Sequence, residues 1–213
     1  MTGTGSGRRA LLRAAAGGMA LAGVTLARPA LAERICSDFD VRGLQQCEAG
    51  IRSELASEFA NAVGSQNLNQ WCWAACIAMV FRFHGFVVPQ ERIVAETWGD
   101  IVNMPAYPEQ ILGNLNRPWL DDRGRRFRAE ADTRTANQYT AAQDLANDHP
   151  LIIGTMGHAM VLTSIAYVRD RAGNGEVTGV VVRDPWPGVG RRQLSGIEWY
   201  NAIFLARIRV YAA

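Results

Sequence analysis

Gln66-Asn-Leu-Asn-Gln-Trp-Cys72-Trp-Ala-Ala-Cys76 leads a polar stretch into a run, Trp71 to Phe81, that meets no charge until Arg82. A helix that is apolar on every face belongs in the interior, and Gly85 is placed to end it. The first thiol therefore stands where a buried helix begins. First-turn N–H groups and the helix dipole favour an anion there, which lowers a thiol's pKa and makes it a nucleophile. Gln66, six residues earlier, supplies an amide that can donate to a developing oxyanion. Cys76, one turn further in, reads as packing.

Working outward, Pro89 suits the first turn of a second helix whose buried side is Ile93, Val94 and Trp98. Residues 109–115 suggest a third helix closed by Pro118, and 139–146 a fourth. After Pro150 the chain turns to strands rich in Val, Ile and Leu at 151–156, 158–168 and 177–183. Residues 204–211 alternate apolar positions with Arg207 and Arg209, as a half-exposed strand does. Helices first and an antiparallel sheet after is an α+β order.

The turn Asp170–Gly175 sets a register. If Val168 faces Gly175 or Glu176, paired numbers sum to about 343 or 344, and His158 falls opposite residues 185–186, within two positions of Asp184. Imidazole and carboxylate then share one end of neighbouring strands. His149 lies at the far end of the 151–156 strand. His84 sits at the tail of the buried helix, roughly 18 Å from Cys72 at a rise of 1.5 Å per residue. Of three histidines, His158 is the one that can serve Cys72. The expected chemistry is attack by Cys72 on an acyl carbon, proton transfer by His158, and orientation of the imidazole by Asp184. Gln66 and the Cys72 N–H hold the oxyanion.

At this point the chain resembles the papain-like cysteine proteases over most of residues 66–213. Gln66, Cys72 and Trp73-Ala74 match that family's oxyanion glutamine, nucleophile and following residues, and Gly157-His158 its strand-opening histidine. Asp184-Pro-Trp186 resembles its Asn-x-Trp, in which the tryptophan shields the histidine's partner from water. The Asp in place of Asn resembles the bacterial branches of the clan, which include secreted effector proteases and bacteriocin-leader peptidases, and the run Asp-Pro-Trp-Pro-Gly188 most resembles the effector-type branch. Trp71 departs from papain, which has a small polar residue before its nucleophile. The resemblance implies a papain-like α+β fold, a helical half with the nucleophile helix followed by a sheet half. It also implies a cysteine peptidase acting on a protein or peptide through an acyl-thioester. An amidase or transpeptidase of peptidoglycan would use the same three residues, and a non-catalytic binding module would keep the fold without the chemistry.

The ends and the charge complete the expectations. Arg8-Arg9, an apolar run from Ala14 to Ala27, and Ala30-Leu31-Ala32 read as a twin-arginine signal peptide over 1–32, cleaved before Glu33. Its 14-residue run is too short to span a bilayer. Export machinery engaging Arg8 and Arg9, a periplasmic or secreted protein and no membrane association after cleavage follow. Residues 33–65 read as an N-terminal strap, or a remnant inhibitory pro-segment, with Ile51, Leu55, Phe59 and Val63 at helical spacing. Cys36–Cys47 is the expected disulfide, because pairing Cys72 with Cys76 would distort their helix. All 22 basic residues are Arg; four lie in the leader, leaving 18 against 20 acidic residues, a net of about −2. Arg123 to Arg128 is flanked by Asp121, Asp122, Glu130 and Asp132, so it reads as a solvated loop rather than a nucleic-acid site. No cofactor or metal is expected.

Overall fold

The computed structural model describes residues 33–52, 59, 65–134 and 137–213. The leader, and Leu55 and Val63 of the strap's apolar spacing, lie outside the described residues. Helix α1 spans Cys72–Phe83, and Trp73 to Ile77, Met79 to Phe81 and Phe83 are all buried along it. The uninterrupted apolar run has become the central helix, packed against the sheet. His84 caps it and Gly85 leaves it at φ +86°, in the left-handed region that favours glycine. Helices α2 (Gln90–Trp98) and α3 (Pro108–Leu115) complete the helical side next to it.

Among the described residues, nine strands form one antiparallel sheet. These are β1 (Glu33–Cys36), β2 (Leu44–Gly50), β3 (Pro118–Leu120), β4 (Arg126–Arg134), β5 (Leu151–Thr155), β6 (His158–Asp170), β7 (Gly175–Asp184), β8 (Gly190–Gln193) and β9 (Ala202–Ala212). Helix α4 (Gln138–Leu145) and the short α5 (Gly196–Tyr200) lie between strands. The order is β1-β2-β6-β5-β9-β4-β3, with β7 on the opposite edge of β6 and β8 beyond it. Strand β6 is the axis: β5 pairs with its first residues, β2 with its last, and β7 with most of its length on the other side.

The β6–β7 register agrees with expectation: Val168 faces Glu176 and Val161 faces Arg183, both summing to 344. Two bulges lie between, one on each strand, and they cancel. The β5–β6 turn is a two-residue hairpin with Met156 at φ 51° and Gly157 at φ 79°. Two consecutive positive φ values define the type I′ turn, whose twist matches the strands it joins. His158 is the first residue after it, so this turn sets where the imidazole emerges.

The element order, the Arg-rich stretch and Pro118 correct the expectations, and the strap gains a defined structure that keeps its expected disulfide. Helices do not simply precede strands: β1 and β2 come before α1, and β3 and β4 separate α3 from α4. Residues 33–50 are a hairpin whose β2 joins the main sheet, with Cys36 opposite Cys47 and disulfide-bonded to it. The Arg-rich stretch is a loop only to Arg125. From Arg126 it is strand β4, with Phe127 and Ala129 fully buried between outward charges. Its period of two was masked by the density of arginine. Arg125 itself plugs the end of α1: it pairs with the buried Asp121 at 2.6 Å, reaches the Gly85 carbonyl and covers the Phe86 ring. Pro118 opens β3 rather than merely closing a helix. Among the described residues no helix is long and apolar enough to cross a membrane.

Gly157→Val forces a β-branched residue to a positive φ, a strain of about 1–3 kcal/mol. Urea denaturation is expected to give a lower midpoint by that amount with an unchanged slope. Removing the disulfide as Cys36→Ser with Cys47→Ser is expected to cost about 3 kcal/mol for a loop of this length.

Candidate active site

Cys72 is the first residue of α1, and Trp71 caps the helix without a side-chain hydrogen bond, leaving first-turn N–H groups to other partners. Both flanking tryptophans are buried and anchored: Trp71 Nε1 donates to Val102 O at 2.8 Å, and Trp73 Nε1 to Met104 O at 3.1 Å. Between them, Asn103 accepts from the Gln70 N–H and donates to Asn69 Oδ1. Segment 102–104 thus clamps residues 69–73 and holds the thiol in place. Trp71, foreign to papain, is a structural anchor.

His158 arrives from the sheet side. Its Nε2 lies 2.7 Å from Asp184 Oδ1, which leaves the other ring nitrogen, Nδ1, out of that contact, and the Cys72 thiol lines the same cleft and interacts electrostatically with the ring. Asp184 is buried, and both its oxygens are occupied. Oδ1 also accepts from the Trp186 N–H at 2.9 Å, while Oδ2 accepts from Arg192 Nε at 2.8 Å. The Ala159 and Trp73 backbone N–H groups act to stabilise a charge on the Cys72 sulfur.

These contacts set the charges. Burial alone would raise the Cys72 thiol, but the His158 hydrogen bond, the two N–H groups and the imidazolium charge together hold it below its ordinary value. Burial opposes charge on His158 too, yet the hydrogen bonds to Asp184 and Cys72 lift it to about 9. Asp184 is likewise opposed by burial but is drawn down to about 2 by His158 and Arg192. Both shifts favour the thiolate–imidazolium form over the neutral pair. Cys76 is buried with no such partner, and burial pushes it well up. His84, half-buried at the other end of α1, is pressed down to about 4 by desolvation and by His149.

An open cleft of about 860 Å³ runs over Cys72 and His158. One wall is the Pro105–Pro108 loop and Ile111; the other is Trp186, Val189 and the start of β9. Asp184 and Arg192, its charged lining residues, are paired to each other. Trp186 meets His158 edge-on with ring centres 6.3 Å apart, but it is 49% exposed. It is a wall of the cleft as much as a cover for the His–Asp contact, and not a core residue. Gln66 is buried: its N–H donates to Pro185 O at 2.7 Å and its Nε2 to Leu68 O at 3.0 Å, while Oε1 has no partner. The cleft-facing amides of that segment are Asn69 and Gln70. Among the described residues no group of three or more His, Cys, Asp or Glu is placed to hold a metal ion.

The model of the Peptidase_C39 like family matches residues 60–206, which takes in Cys72, His158 and Asp184. The chain belongs to the Peptidase_C39 like family. It is a cysteine-type peptidase. Two solved structures resemble this Peptidase_C39 like chain at low identity. One is a double glycine motif protease from an AMS/PCAT transporter in complex with the leader peptide: 16% identity, 70% of this chain and 89% of that chain covered, TM-score 0.45. The other is the peptidase domain of Streptococcus ComA, a bifunctional ABC transporter involved in quorum sensing: 16% identity, 70% and 96% covered, TM-score 0.44. Comparison with curated proteins finds no match.

The residues that sequence reasoning missed are Asn103, Arg192 and Glu198. Glu198 had a signal, since Ser195-Gly-Ile-Glu198 is a capping-box pattern. Strand β8, which carries Arg192, is only four residues long.

A lowered Cys72 thiol with a His158 held to about 9 predicts one rapidly alkylating cysteine at pH 7. Its rate is expected to stay high below the range where free thiols ionise and to change again near pH 9, as the imidazolium is lost. Iodoacetamide labelling followed by peptide mapping checks this; equal labelling of Cys72 and Cys76 contradicts it.

Proposed function

We propose that this peptidase cleaves peptide bonds through a Cys72–His158–Asp184 triad and an acyl-thioester intermediate. The observation that carries the reading is a thiol at a helix start sharing one cleft with an imidazole whose Nε2 is 2.7 Å from a buried carboxylate. The Cys72 thiolate attacks the scissile carbonyl, and the oxyanion is met by the Cys72 N–H and the Gln66 amide. His158 gives its Nδ1 proton to the leaving amine, which departs as the thioester forms. Water then attacks the thioester with His158 taking its proton, releasing the acid and the thiolate. Asp184 stays ionised and keeps the ring turned toward Cys72.

Gln66 enters through its second Nε2 hydrogen, since the first is given to Leu68. The substrate is an extended peptide lying in the cleft above Cys72. We propose export by the twin-arginine route, for which the Cys36–Cys47 disulfide is the supporting observation, because such bonds persist outside the cytoplasm. The effector-type assignment rests on the Asp-Pro-Trp-Pro-Gly188 run.

A diverse peptide library incubated with the purified chain should yield discrete cuts that disappear with Cys72→Ala. Cleavage surviving in that variant would refute the reading. Gln66→Ala should lower kcat by about 10²-fold with KM little changed, as loss of one oxyanion donor does. If Gln70→Ala has the larger effect, the donor is Gln70.

A further inference from the structure

Arg192 contacts Asp184 from a strand that has little other reason to reach that point. Strand β8 pairs with the end of β7, Arg192 facing Val182 and Gly190 facing Asp184. Its guanidinium is shared: Nε holds Asp184 Oδ2 at 2.8 Å, and Nη2 and Nη1 hold the Glu198 carboxylate at 2.7 and 3.2 Å. Nη2 also touches the Met160 sulfur at 3.0 Å. Glu198 is fixed in turn, accepting from the Ser195 N–H and hydroxyl at 2.8 Å each. That capping box belongs to α5, a five-residue helix with no buried residue. The Glu198 carbonyl accepts from Thr155 Oγ1 at 2.6 Å, and Thr155 pairs with His158 across the hairpin. The exposed helix is thus tied to both ends of the His158–Asp184 contact.

We propose that Arg192 and Glu198 form an opposed pair of positioning residues that hold Asp184 on His158 and set the pH range in which the Cys72–His158 pair is active. This rests on the triad reading above. The charged and titratable groups facing the pair are Cys72 and Cys76 from α1, His158 from β6, Asp184 from β7, Arg192 from β8 and Glu198 from α5. Arg183 and Arg191 face each other across the strands and alternate to the opposite face. Arg192 places a positive charge against Asp184, and Glu198 offsets it. Taking away the positive charge disfavours the thiolate and favours the imidazolium, so both limbs of the pH profile move up. Taking away the negative charge moves both limbs down.

The test measures kcat, KM and the rate of Cys72 alkylation against pH for the purified chain and for Arg192→Met, Glu198→Gln and Arg192→Lys. Thermal melting is recorded for each. Arg192→Met should raise both limbs by about one pH unit, and Glu198→Gln should lower both by a similar or smaller amount. Arg192→Lys keeps the charge but cannot bridge two carboxylates. It should leave the limbs in place and lower kcat about tenfold with KM unchanged. If Arg192→Met does not fold, the downward shift in Glu198→Gln decides alone. Unmoved limbs, or shifts of the same sign in the two charge-removing variants, would overturn the proposal. The triad reading has its own outcome: a Cys72 in the unaltered chain that alkylates no faster than a free thiol defeats it, whatever the variants do.

Discussion

The contact between His158 and Asp184 exists only because β6 and β7 pair in one register. A slip of one residue would turn every side chain of a strand to the other face of the sheet, sending Asp184 away from the ring. The pairing is secured at both ends. Near the turn, Asp170 accepts from the Asn174 backbone and side chain. Near the site, β8 extends the sheet and Arg192 grips Asp184. Between them two bulges occur, and because they lie on opposite strands the site-end register is the one the turn dictates.

The second half of the site is brought to this sheet by burial. Helix α1 is held by apolar packing along its length, and its first turn is aimed by two tryptophans whose N–H groups are spent on one loop. Gln66 links the halves directly, since its N–H donates to Pro185, the residue after Asp184. The thiol therefore meets the imidazole at a junction whose two sides are each rigid for separate reasons. A carboxylate with both oxygens occupied and a cleft whose lining charges are mutually paired give an electrostatic setting that belongs to the scaffold.

How much of this the sequence disclosed follows from which signals are local. The Cys72 helix was readable because its apolar run had no competing pattern. The choice of His158 among three histidines followed from counting across a hairpin, and that count worked because the bulges cancel, which no sequence shows. Strand β4 was hidden by arginines that point outward, and β2 by its polar residues, Gln45, Gln46 and Glu48. Arg192 was invisible for another reason: its meaning lies in a carboxylate eight residues away, reached through a four-residue strand. Trp186, expected to shield the His–Asp contact, meets His158 edge-on and also stands half exposed on the cleft wall. The family match to residues 60–206 supports a cysteine peptidase, and it leaves the individual roles to be measured.

The central claim is that Cys72 carries the acyl group during cleavage. Rapid acid quenching of the chain with a cleaved peptide, followed by mass analysis, tests it directly. The account predicts an adduct on the Cys72 peptide equal to the N-terminal product acyl group, removed by hydroxylamine and absent in Cys72→Ser. Turnover of the peptide with the acyl group trapped on another residue would contradict it.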